Sequence, residues 1–155
     1  MTIAALSDWL LLGHIVAAMV WLGGGVMLAA FAVGAVRGGD PAAVARLVRS
    51  LRVVGPAILA PATIAAPALG VWLVLDSDAW DFGQTWVQLA LALFAAAFAV
   101  GAVHQSRAAI LADRAVARGD DDAARRHLTR WTWGYGLVVL LLLAVAWDMV
   151  FKPGL

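Results

Sequence analysis

The sequence predicts an all-α protein, a transmembrane four-helix antiparallel bundle. Three observations carry this prediction. The 155 residues are 64% apolar and 14% charged, against about 45–50% and about 25% in soluble domains. The charges cut the chain into apolar tracts of 28, 23, 25 and 17 residues (9–36, 53–75, 82–106 and 131–147). Arg-rich and Asp-rich connections alternate between those tracts. A chain this short cannot hide such an apolar excess in one small core. A soluble enzyme, a nucleic-acid binder and a secreted disulfide scaffold are excluded. The absence of cysteine removes disulfides, iron–sulfur clusters, thiolate metal sites and CxxCH haem attachment.

Roughly 20 apolar residues cross a hydrocarbon core as a helix, and each tract satisfies its own backbone only in that form. The ten-residue alternating segments of a membrane barrel are not present. The first helix is placed at about 9–36. Met1–Asp8 has no basic residue, so no cleavable signal is expected. The second helix is placed at about 53–75. The third runs at about 82–118, since Ala-rich sequence continues past the bilayer until Gly119. The fourth occupies about 121–151. All four belong to a single membrane domain, 1–155.

Connection one holds Arg37, Arg46, Arg49 and Arg52, and connection three holds six further arginines. Connection two has Asp76, Asp78 and Asp81 and no basic residue. The positive-inside rule therefore puts connections one and three in the cytoplasm and both termini outside. Trp9, Trp80, Trp86 and Trp147 are expected in an outer aromatic belt, with Trp131, Trp133 and Tyr135 at the inner boundary. Asp40-Pro41 forms a helix start, and Asp120–Asp122 suit the next. The stretches Arg37-Gly-Gly-Asp-Pro-Ala-Ala and Arg118-Gly-Asp-Asp-Asp-Ala-Ala are alike. They fit either a duplicated helical hairpin or two generic basic turns. The arginines also suit anionic headgroups, although topology alone explains them.

Ionisable groups inside a span are functional candidates by default. His14 lies five residues inside Trp9, about 7–8 Å deep. It shares a helix face with Ala18, Trp21 and Gly25. This stripe fits a cofactor site with His14 as metal ligand, or a neutral histidine bonded to a neighbouring helix. His104 lies about 20 Å from His14 in depth, so the two cannot serve one iron in one subunit. His127 sits among arginines and reads as solvated. Asp148, near the outer level, either orients His14 from behind or snorkels to headgroups beside Lys152. Gln88 could join the layer, and Met149 is a soft donor or plain packing. Pro56, Pro61 and Pro67 bend helix two and free the Ala57 and Thr63 carbonyls, which favours a cavity. Ala95–Ala97 and Gly101 allow close packing of helix three.

The pattern His14-x6-Trp21-x-Gly23-Gly24 on a first transmembrane helix resembles the CopD-like group of bacterial membrane proteins, which includes the HemJ-type protoporphyrinogen oxidases. Pro61-Ala62, Gly70-Val71-Trp72-Leu73 and Met149-Val150-Phe151-Lys152-Pro153-Gly154 extend the resemblance over nearly the whole chain. Its nearest form is an uncharacterised predicted integral membrane family of this length and ending. The resemblance implies a four-helix protein of the bacterial cytoplasmic membrane with a histidine-centred site in its outer half. In the oxidases the first-helix histidine is associated with haem or porphyrin, and His14 stands at that position. Those oxidases also need a lysine in the third span. The span 82–106 has none, a departure that speaks against porphyrinogen oxidation.

Three readings follow. In the first, the protein binds haem b or a porphyrin through His14, with Trp21, Gly25 and Asp148 around it. In the second it handles copper with the same layer. In the third it is a non-catalytic accessory subunit in which His14 holds helices together. Iron accepts a single protein axial ligand whereas tight copper binding wants more donors, which favours the first. The lipid bilayer is a partner in every case, no nucleic acid is expected, and a homo-oligomer or a membrane redox partner is compatible with all three.

Overall fold

Both turns at the Arg-rich end use the same two devices. Gly39 and Gly119 take positive φ (73° and 70°), a conformation that costs glycine nothing. An aspartate then caps the following helix. Asp40 accepts from the amides of Ala42 and Ala43 at 2.9 and 3.2 Å, and Asp120 accepts from Ala123 at 2.9 Å. These contacts satisfy amides that a helix start leaves without partners.

The computed structural model describes residues 3–154. Within them lie four long helices, each apolar and long enough to cross a membrane, and no strand. The first is Ile3–Gly38, longer at both ends than the charge-free tract. The second begins at Pro41 and continues to Leu75, so the basic connection and the span expected at 53–75 are one rod. Asp40 and Pro41 start that rod, and no glycine or charge pattern stops it before the membrane. The third helix is Thr85–Ala117. It starts three residues after the expected Phe82, because Asp81 Oδ1 accepts from Gly83 N at 2.6 Å and Gln84 is extended. The fourth is Asp121–Phe151.

The helices run antiparallel. The first packs against the second and fourth, and the third packs against the fourth along its length. The second and third touch only slightly between Ala60–Leu75 and Thr85–Ala99 and pack mainly at the Arg-rich end. There Val44, Leu47, Val48 and Leu51 of the second helix join Ala108, Ala112 and Ala115 of the third, with Leu128 of the fourth, in one buried cluster. Branched side chains face alanines, so the backbones approach closely. Arg125 donates to the Val36 carbonyl at 3.0 Å and so ties the end of the first helix to the fourth.

The aromatic boundary differs from expectation. Trp9, Trp147 and Trp133 face outward, but Trp86, Trp131 and Tyr135 are buried. Trp86 meets Trp80 edge-on at 5.6 Å, and Trp131 stacks on Tyr135 at 5.6 Å. These rings fill the bundle because small residues on facing helices leave room for them.

Candidate functional site

On the first helix the buried positions are Leu10, Ala17, Trp21, Gly25, Leu28 and Ala32. His14 falls on this inward stripe and is half-buried. Its Nδ1 lies 2.6 Å from the Ala66 carbonyl of the second helix. A carbonyl only accepts, so Nδ1 carries the proton and donates. Gly70, one turn further on, makes room for the ring: a β-carbon there would stand 3.1 Å from Cε1. The Pro67 and Gly70 turn is thus thin where the imidazole arrives, and the ring packs closely against it.

Asp148 is fully buried, and neither oxygen has a hydrogen-bond partner among the described residues. The snorkelling alternative is corrected by this burial. Lys152 turns elsewhere, its ammonium 4.4 Å from the Trp80 ring centroid. Asp148 and His14 are not hydrogen-bonded to each other. The pairings of Tyr135 with Trp21 and Arg125 with Val36 put Asp148 near the level of Leu10, about one turn from His14. Gln88 takes no part, since its Nε2 donates to the Phe82 carbonyl at 3.0 Å.

Trp21 and Gly25 belong to a second layer nearer the Arg-rich end. The Tyr135 hydroxyl donates to the Trp21 carbonyl at 2.6 Å. A β-carbon on Gly25 would fall on that hydroxyl, so Gly25 is the notch through which Tyr135 reaches. The Trp21 ring is buried and meets Phe94 edge-on at 5.5 Å. Among the described residues, no three His, Cys, Asp or Glu side chains come together as a metal site. His104 sits over Gly134, its Nε2 3.2 Å from the Arg130 carbonyl, far from His14.

Between the second and third helices lies a groove of about 720 Å³ floored by Trp21, Trp131, Tyr135 and Val138. It is the cavity expected from the prolines of the second helix, placed nearer the Arg-rich end against Pro56, Leu59, Ala60 and Thr63, while Gln105 in its lining escaped the sequence reading. Each wall carries a π-helical segment, Gly55–Leu59 on one side and Val100–Gln105 on the other. The first contains Pro56 and ends two residues before Pro61. Pro61 has no amide for the Ala57 carbonyl, and Ala60 N–H bonds back five residues to Gly55. In the second, Ser106 N–H reaches Gly101. The extra residue is legible in the burial. Ala90, Ala97, Gln105 and Ala112 are buried at steps of seven, eight and seven. The eight-residue step turns Gln105 inward and leaves His104 exposed beside Gly134. Such π-bulges concentrate at functional sites.

A family model described as "Predicted integral membrane protein (DUF2269)" matches residues 8–153. No curated protein and no solved structure matches the chain.

Proposed function

The chain belongs to the DUF2269 family of predicted integral membrane proteins, and from that premise we propose that it is haem- or porphyrin-associated, with His14 as the single axial ligand. The observation that supports this reading is the 2.6 Å hydrogen bond from Nδ1 to the Ala66 carbonyl. A neutral imidazole with its proton on Nδ1 keeps its lone pair on Nε2. Ligating histidines make this same contact, which fixes the tautomer and the ring's orientation. Haem, when bound, supplies a redox-active iron. The chain supplies the ligand and its orientation, with the buried carboxyl group of Asp148 at a level about one turn along the bundle.

The donor set fits one axial bond, but the stripe does not fit a porphyrin along its whole length. Tyr135 fills the notch at Gly25, so the reading rests on His14, and Trp21 and Gly25 act through the layer beneath. The Arg-rich turns are taken as cytoplasmic and the membrane as the bacterial inner membrane. Copper would have to draw on His14 with Asp148 or Met149, a sparser donor set than copper sites use.

An absorption spectrum of the detergent-purified protein tests the proposal. A Soret band should be present, or appear on haem addition, and be lost in His14→Ala. Added imidazole should restore it in that variant. A second reading has its own support: the same hydrogen bond and the Gly70 contact satisfy His14 as a strap between two helices. Folded wild-type protein that takes up no haem, with His14→Ala merely less stable, would leave the strap standing and overturn the haem reading.

A further inference from the structure

We propose that the groove between the second and third helices binds an isoprenoid quinone or its quinol, with Gln105 holding the head group. This inference stands apart from the His14 reading, since His14 does not line the groove.

Gln105 is 8% exposed, and neither its Nε2 nor its Oε1 has a hydrogen-bond partner among the described residues. Leaving a buried amide unpaired costs free energy that an apolar residue would not cost. The π-bulge makes the anomaly more pointed. Without the extra residue of Val100–Gln105, the inward position would fall to His104. Gln105 is among the lining residues with both amide atoms covered, so an occupant bonds them by drawing the side chain out of the wall.

The character of the occupant follows from the walls. The groove lies between transmembrane helices that touch only slightly beyond the Arg-rich end, which gives a membrane-soluble molecule a lateral way in. Its floor carries three aromatic rings, and two of them, Trp131 and Tyr135, are nearly parallel with 14° between planes. Flat aromatic surfaces favour a flat ring by stacking. The nearby hydroxyls are already engaged: Thr63 Oγ1 donates to Leu59 O at 2.7 Å, and Tyr135 to Trp21. Gln105 alone offers a free donor together with a free acceptor.

That pair matches a quinone carbonyl, which accepts from Nε2, and a quinol hydroxyl, which donates to Oε1. The volume of about 720 Å³ falls in the usual range for small-molecule sites. A phospholipid ester only accepts and would leave Oε1 bare. The charges at the cytoplasmic mouth also give it little: Arg52 is already paired with Asp113 at 3.2 Å, which leaves Arg114 as the remaining charged lining residue.

The full chain in phosphatidylcholine nanodiscs, titrated with decylubiquinone and decylubiquinol, tests this. Saturable binding of both is expected. Gln105→Leu should weaken both about tenfold while its thermal transition stays level or rises. Gly101→Phe, which fills one wall, should abolish binding. His14→Ala should leave it intact, so failure of the haem reading and failure of this one are separable. Folded wild-type protein without saturable binding would overturn the proposal. So would equal affinity in Gln105→Leu. Co-purified phosphatidylglycerol that depends on Arg52 and Arg114 and resists displacement by decylubiquinone would assign the groove to phospholipid instead.

Discussion

The Tyr135 hydroxyl donates to the Trp21 carbonyl at 2.6 Å through the notch left by Gly25. That bond joins the fourth helix to the first at mid-membrane. It also positions both aromatic floors of the groove, because Trp131 stacks on Tyr135 and Trp21 stands beside them. Two residues picked out as parts of a cofactor stripe thus serve the layer beneath it.

Gly25→Ala should destabilise the protein by about 1–3 kcal/mol, the usual range for a methyl forced into filled space. Tyr135→Phe should cost about 1 kcal/mol through the lost hydrogen bond. It should not rescue Gly25→Ala, because ring carbons as well as the hydroxyl occupy the notch. Tyr135→Leu, which vacates it, should make the double change cost less than the sum. Thermal or denaturant unfolding in detergent reads all five variants, three single and two double.

Asp148→Leu should leave stability unchanged or raise it by about 1–3 kcal/mol, because it removes a buried carboxyl group whose oxygens have no partner. Asp148→Asn keeps the size and the polarity and should gain less. A loss of stability in the leucine variant would show that the carboxyl group is bonded in the membrane.

The four helices were legible because apolar runs bounded by charges carry their own signal. Asp40-Pro41 and Gly119-Asp120 were legible because caps depend on local chemistry. The continuous rod from Pro41 to Leu75 was harder to read, since arginines mark topology and do not break a helix. The π segments were out of reach for a different reason. One inserted residue shifts the inward face by about 100°, and in a tract where every face is apolar the shift leaves no trace. The usable signals were faint: Pro56 inside one segment with Pro61 just past its end, and a neutral polar Gln105 at the end of the other. The headgroup alternative for Asp148 arose because it lies within one turn of Phe151, and depth along a helix does not say which way a side chain points.

Cysteines in place of Ser50 and Asp78 test the topology. Both positions are exposed and lie at opposite ends of the bundle. In intact cells a membrane-impermeant maleimide should label Asp78→Cys, and Ser50→Cys only after permeabilisation. Labelling of both from outside would reverse the assignment of the Arg-rich end or break the four-span layout.

The state of His14 is open to direct observation, with or without a cofactor. Free histidine favours the tautomer with its proton on Nε2, whereas a 2.6 Å approach to the Ala66 carbonyl requires the proton on Nδ1. Nitrogen-15 spectra of histidine-labelled protein should therefore show one of the three histidines locked as the Nδ1–H form at neutral pH, and its signals should vanish in His14→Ala. Gly70→Ala is the sharper probe. Its methyl would sit 3.1 Å from Cε1 and 3.3 Å from Nδ1, so the ring must retreat by a few tenths of an ångström. The hydrogen bond should lengthen and the tautomer preference weaken, with a stability loss of about 1 kcal/mol. An unchanged spectrum in Gly70→Ala, or an Nε2–H signal for His14 in the wild type, would remove the basis for assigning Nε2 as the free ligand atom.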